Sequence, residues 1–484
     1  MASSLTFNTK FAFGVGQLAE GLKTSALNTF LLFYYNQVLE LPGTLAGLAV
    51  AIALVFDAVS DPLTGSLSDN WRGRLGRRHP FMYASAVPLG ISFFLLFSPP
   101  EGLSEWGLFF WLATMVLLTR ASMTLYHVPH IALGAELSTD YQERSQIVSF
   151  RYVLSFTGFF LCYGLGFAWF FRDTPEFPNG QFNVSAYQPF AITLSVVMAA
   201  TILWSAWGTH HRIPFLPKPS GEPVKLSLTG VVARMFSETL GALKNRSFGW
   251  LFLGAMVIFV MVGVDSALSL YVFEYFWELD SQGKLTVLLV YPVGIMIGSI
   301  ISPFTHKTID KRTGVIVGAL GWGVLQVLPI VLRFIDWFPE NGTQTLVIAL
   351  LSLKFIQGVF AAQSLVSFNS MLADIADEHE LVTGKRQEGI FYAAASFASK
   401  TTAGIGSFIA GVCLDLISWP RGAHIQSAAD IPAESIVWLG LLYGPIVACF
   451  AVFNLIFNLK CKMTRKDHEE VVRRLEIVRA ERAA

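Results

Sequence analysis

TLAGLAVAIALVFDAVSDPLTGSLS, residues 44–68, is an apolar run that carries two aspartates, Asp57 and Asp61, four positions apart. A helix needs about 20 apolar residues to cross roughly 30 Å of hydrocarbon, and this stretch meets that length. Windows of the same kind recur at 11–37, 80–98, 106–134, 147–171 and 188–208, then at 247–276, 284–304, 313–334, 345–372, 388–417 and 433–459. The alternation of a membrane barrel is absent, so backbone groups facing lipid must be satisfied inside helices. The chain is therefore expected to be an all-α membrane protein with 12 transmembrane helices.

Composition agrees with that reading. Of 484 residues 53% are hydrophobic and only 14% are Asp, Glu, Lys or Arg, against about 25% in a soluble domain. The 41 phenylalanines and 12 tryptophans exceed what a core of this size can bury beneath a polar exterior. The net charge is zero and no basic arm stands apart from the helices, which argues against a nucleic-acid partner. Cys162, Cys413, Cys449 and Cys461 lie in or beside apolar segments without metal-ligand spacing and read as small buried hydrophobes. Met1 to Lys10 leads into the first span without a small-residue cleavage pattern, so that span is expected to serve as its own targeting signal.

One long polar connection, 209–245, separates the sixth and seventh windows. It contains PFLPKPSGEPVK, 214–225, followed by an amphipathic stretch at 226–243 suited to an interface. Four regions follow: a six-helix bundle at 1–208, the connection at 209–245, a second six-helix bundle at 246–460, and a tail at 461–484. Two such bundles rocking about a central site is a transporter plan. Basic residues set the orientation. Arg72, Arg74, Arg77 and Arg78 follow span two, the connection adds Lys218, Lys225 and Lys244, and the tail adds Lys460, Lys462, Arg465 and Lys466, whereas 99–105 has none. Both termini are expected in the cytoplasm of a multi-pass plasma-membrane protein, the inner membrane if the source is bacterial. The sequons at Asn183 and Asn341 fall in expected outer loops.

Ionisable residues at hydrocarbon depth cost about 2.5 to 3.5 kcal/mol each and so face a cavity, a partner or an ion. Asp57 and Asp61 share a helical face with Ser60 beside them. Two carboxylates at that spacing repel unless a sodium ion or a proton lies between them, or each pairs with a base on another helix. In span four, Thr124, His127 and His130 recur every third residue, and Pro129 loosens the backbone ladder. His127 reads equally as a proton-linked group or a neutral hydrogen-bonding one. Arg151 in span five either snorkels or offers its planar fork to solute oxygens or a facing carboxylate. Lys400 in span eleven has no acidic neighbour within eight positions, which makes Asp57 and Asp61 candidate partners. In span one Gln17, Glu20, Lys23 and Asn28 form a polar stripe, in which Glu20 and Lys23 either neutralise each other or line a pathway.

DAVSDPLTG (57–65), GRLGRRHPF (73–81), ERSQIVSFRYV (143–153) and LADIADEHELVTGKRQEGIFYAAASFASK (372–400) together resemble the glycoside, pentoside and hexuronide cation symporters of the major facilitator superfamily. The resemblance spans nearly all the helices and takes in the sodium-dependent lysophosphatidylcholine branch. It implies sodium binding at Asp57 and Asp61, assisted by Thr124, with Ser60 where the family commonly has asparagine. It also implies solute binding or coupling at Arg151 and Lys400, and a cytoplasmic gate at Gly65, Asp69, Arg77 and Arg78. Two departures weaken a galactoside site. His127 stands where the melibiose type has an aspartate, with Ile131 in place of a tryptophan, and the span-one aspartate falls near Gly21, beside Glu20.

The expectation is thus a sodium-coupled symporter, with a proton as the alternative ion, working by alternating access without a cofactor or covalent chemistry. Its partners would be the bilayer and a small solute, a glycoside or uronide, acting as a monomer. A lysolipid is the alternative cargo, and a non-transporting membrane scaffold the alternative class.

Overall fold

The computed structural model describes residues 5–138, 140–216, 230, 233, 237, 240–384, 388–422, 425 and 427–483. Most of the amphipathic stretch 226–243 and the residues Lys385, Arg386 and Gln387 lie outside the described residues. Among the described residues, eleven helices are long and apolar enough to cross a membrane. They are α2 (Gly43–Asn70), α3 (His79–Leu96), α4 (Glu105–Glu136), α5 (Gln142–Phe170), α6 (Val184–His210), α7 (Arg246–Phe276), α8 (Ser281–Thr308), α9 (Lys311–Phe334), α10 (Gln344–Thr383), α11 (Gly389–Leu416) and α12 (Ala433–Lys460). A further helix, α13 (Arg465–Ala483), forms the tail.

The first expected span is also helical but segmented. Here α1 covers residues 7–38 as Phe7–Val15, Gln17–Thr29, Leu31–Phe33 and a π-turn at Tyr34–Val38. Gly16 and Phe30, at the breaks, keep right-handed helical backbone angles, so the path continues. At Gly16 the hydroxyl of Tyr126 comes so close that an added Cβ would lie 1.6 Å from its oxygen.

Most ends agree with the hydropathy windows to within a few residues, but α10 does not. The apolar pattern ends at 372, whereas the helix continues to Thr383 and stops at Gly384 in the left-handed region, φ 70°. Hydropathy reports the thickness of the lipid and not the length of a backbone ladder. The extension stands because its charges are held: Lys311 Nζ lies 2.7 Å from Asp374 Oδ1, and Asn245 Nδ2 lies 3.0 Å from Glu378 Oε2.

The chain divides into two compact units, the first Met1–Val231 with Asp280–Leu285 and Phe408–Ile431, the second Val232–Leu279 with Thr286–Ser407 and Pro432–Ala484. In the first, α1 packs on α5 and α6, while α4 packs on α2 and α3. In the second, α9 packs on α10 and α7 on α12. Large apolar side chains such as Val87, Phe110, Ile192, Ile300 and Val324 remain exposed on the protein, the surface expected of helices solvated by lipid.

Each unit repeats two local devices. Both α1 and α7 close in π-turns, Tyr34–Val38 and Val272–Phe276, each followed by a glutamate at positive φ, Glu40 (63°) and Glu278 (47°). In each unit the first and fifth helices of the set cross backbone to backbone. On α1 and α5 an added Cβ at Gly21 would lie 2.1 Å from the Ser155 carbonyl oxygen, and one at Gly158 2.4 Å from that of Leu18. On α7 and α11 the corresponding approaches are 2.3 Å from Gly263 to Ala403 O and 2.3 Å from Gly406 to Val260 O. Small residues allow this close packing where lipid supplies no hydrophobic drive between helices.

Gly21→Ala and Gly158→Ala are expected to destabilise the protein by about 1 to 3 kcal/mol through overpacking, read as a lower melting temperature in detergent. Gly164→Ala, with open space at its Cβ, should leave the melting temperature nearly unchanged.

Candidate functional site

Asp57 and Asp61 lie one turn apart on one face of α2, which aims both carboxylates at α4. Asp57 is buried, and its Oδ2 accepts from Arg120 Nη1 at 2.7 Å. Thr124, one turn after Arg120 on α4, donates to Asp61 Oδ1 at 2.9 Å and lies 3.4 Å from Asp57 Oδ1. A hydroxyl has one proton, so the closer acceptor takes it and Asp57 Oδ1 is left facing the threonine oxygen. Pro62 within α2 lacks an N–H, which removes the helical donor of the Ala58 carbonyl. Among the described residues no group of three or more His, Cys, Asp or Glu is placed to hold a metal.

The structure brings together Asp57, Asp61 and Thr124, but not Ser60. The Ser60 hydroxyl turns back along α2 to the Asp57 main-chain carbonyl, at 3.4 Å. That is the local bond open to a serine inside a helix. Arg120 is the residue the sequence reading passed over. Its signal was present, since a buried arginine one turn before Thr124 must meet an acid.

On α1 and α4 a second polar group forms. Glu20 Oε1 accepts from Lys23 Nζ at 3.0 Å and from Thr24 Oγ1 at 2.9 Å. Its Oε2 is 3.9 Å from His127 Nδ1, which is 3.3 Å from Gln17 Nε2. Glu20 and Lys23 therefore do neutralise each other, and yet the group also holds two buried acceptors without hydrogen-bond partners, Glu20 Oε2 and Gln17 Oε1. Such atoms suit the hydroxyl donors of a solute. Gly21 has no room for a side chain, which leaves Glu20 as the acid of this turn. His130 is apart from the group: fully buried and stacked 4.1 Å from the Phe13 ring, it makes a 2.8 Å hydrogen bond to the Phe13 carbonyl.

The Arg151 guanidinium lies 5.0 Å from the centre of the Tyr152 ring and makes no ion pair among the described residues. Ile131 is partly exposed on α4. Lys400 lies on α11 in the second unit, half-buried.

The residues expected at a gate meet at one end of α2, α3 and α4. Arg78 is buried and bonds Asp69, Ser68 and Glu136, with Nη2 2.6 Å from Glu136 Oε1. Arg77 Nη2 reaches the same oxygen at 2.8 Å. Glu136, the last residue of α4, is the acid on which both arginines converge, and only the fold reveals it. At Gly65, one turn before Asp69 on α2, an added Cβ would make ordinary contact with Val128 at 3.5 Å.

Comparison with known proteins places this arrangement. The sequence profile of the MFS/sugar transport protein family matches residues 12–464. The isoprimeverose transporter of Lactiplantibacillus pentosus is 22% identical over 94% of this chain and 90% of its own length. The glucuronide carrier protein homolog of Escherichia coli strain K12 is 25% identical over 98% and 96%. Among solved structures, a D-xylose-proton symporter superposes with a TM-score of 0.61 at 14% identity, covering 95% of this chain and 98% of that one, and so shares the fold. With a buried charged constellation on helices that cross the bilayer, and a profile match over nearly its whole length, the chain belongs to the MFS/sugar transport protein family, as a multi-pass secondary transporter of the major facilitator fold and not an enzyme.

Proposed function

We propose that the protein couples inward transport of a sugar-like solute, a glycoside or uronide, to a monovalent cation held by Asp57, Asp61 and Thr124, with sodium as the coupling ion. The observation that carries this is the convergence of Asp57 Oδ1, Asp61 Oδ1 and Thr124 Oγ1 between α2 and α4. Sodium is favoured because three oxygens, Asp57 Oδ1, Asp61 Oδ1 and Thr124 Oγ1, converge as hard ligands. The names of the relatives, an isoprimeverose transporter and a glucuronide carrier homolog, support a sugar-like cargo. The buried acceptors Gln17 Oε1 and Glu20 Oε2 and the Arg151 guanidinium, which makes no ion pair among the described residues, supply contacts for its hydroxyl and acidic oxygens. In this reading His127 positions Glu20, Ile131 gives an apolar surface, and Lys400 responds to the cation. Alternating access follows when the state with only one ligand closes poorly because a buried charge stays uncompensated. Both termini and the cluster of Asp69, Arg77, Arg78 and Glu136 would then face the cytoplasm, in keeping with the basic loops.

Uptake of labelled glycosides and hexuronides into liposomes should rise with an inward sodium gradient. Asp61→Asn replaces one charged oxygen ligand with a neutral amide, so sodium stimulation should vanish while the protein still folds. Thr124→Ala should raise the sodium concentration for half-maximal uptake by about tenfold, the value of one hydrogen bond to a charged group. Unchanged sodium dependence in both variants would sink the assignment, and acceleration by an acidic exterior without sodium would make the constellation a proton site. Glu136→Gln removes the acid of Arg77 and leaves Arg78 with Asp69 and Ser68 alone, and should destabilise the protein by about 1 to 3 kcal/mol, measurable as a lowered melting temperature.

A further inference from the structure

The second unit contains a polar chain inside its apolar helices. On α9, Gln326 Nε2 donates to Asp265 Oδ1 of α7 at 2.8 Å and to the Tyr443 carbonyl of α12 at 3.0 Å. Its Oε1 accepts from Gln357 Nε2 at 2.7 Å and from Lys354 Nζ at 3.1 Å, both on α10. Lys354 Nζ also lies 3.3 Å from the Tyr443 hydroxyl. Gln326 and Gln357 are fully buried, whereas Asp265 and Lys354 are only half-buried. The two charged ends are thus reachable, and the amide that joins them is not.

The placement of Gln326 decides what the lysine can do. An ammonium has three donors. Here two are directed to neutral oxygens, and no carboxylate lies within ion-pair distance of Nζ among the described residues. Had Asp265 touched Lys354 directly, the positive charge would be satisfied within the protein. With one amide between them, the site is neutral overall and the lysine keeps an open donor. The Phe273 and Tyr443 rings, 6.0 and 5.4 Å from Nζ, stabilise the ammonium and keep the local dielectric low, which strengthens attraction for an anion.

We propose that Lys354 is a specificity-determining residue that receives the carboxylate of an acidic solute, while Asp265 accepts a hydrogen bond from a hydroxyl of the same molecule. Because the pair starts neutral, a monoanion is favoured and Asp265 repels a second negative charge. The assignment rests on a sugar-like cargo but not on the identity of the coupling ion.

The test is binding of phenyl β-D-glucuronide and phenyl β-D-glucoside to the purified full-length protein at constant sodium, without a gradient. The two probes differ in having a carboxylate or a hydroxymethyl group. The native protein should bind the glucuronide about tenfold more tightly, the worth of one charge-assisted hydrogen bond. Lys354→Gln should remove that preference by weakening the glucuronide alone, and Lys354→Arg should restore most of it, with melting temperatures as the control for folding. Equal weakening of both probes would make Lys354 structural and overturn the proposal, as would a native protein that binds neither probe or does not distinguish them. Glucuronide preference that persists without any sodium effect on binding or uptake would leave this assignment standing and sink the cation reading. Sodium-stimulated uptake blind to the carboxylate would do the reverse.

Discussion

Asp57 and Arg120, buried side by side with 2.7 Å between Oδ2 and Nη1, are the interaction on which the rest of the first unit depends. Inside hydrocarbon neither charge is tolerable alone, so α2 and α4 are obliged to pack with these residues in register. That register carries Thr124 to the aspartates. It also sets Asp61 Oδ1 against the same threonine hydroxyl. Structural pairing and the gathering of oxygens suited to a cation are therefore one arrangement.

The two units solve the same physical problem with related parts. In each, the first and fifth helices of the set approach at glycines, where only a missing side chain lets carbonyls and Cα atoms come so near. At the helix ends, charges that cannot enter the lipid are collected: Asp69 and Glu136 with Arg77 and Arg78 in the first unit, Asp374 with Lys311 and His468 in the second. His468 belongs to α13, so the tail helix is tied to the charged extension of α10. Between these ends the units differ in chemistry. The first concentrates acid and hydroxyl oxygens around one guanidinium, whereas the second separates a lysine from an aspartate by a buried amide.

The sequence by itself determined the class of fold and most of its helices, because lipid thickness sets the length of every apolar run and backbone groups in lipid must be satisfied within helices. It also determined Asp57 and Asp61 as a pair, since four positions on a helix place two side chains on one face whatever the surroundings. The tertiary structure alone decided which charges meet. Arg120, Glu136 and Gln326 acquire their roles from contacts 63, 58 and 61 positions away, a relation that periodicity along a single helix does not contain. Ser60 shows the same limit from the other side: its neighbours in sequence suggest the carboxylates, but its rotamer takes the nearest main-chain carbonyl. Local pattern specifies which face a residue occupies, and the crossing of helices specifies what that face meets.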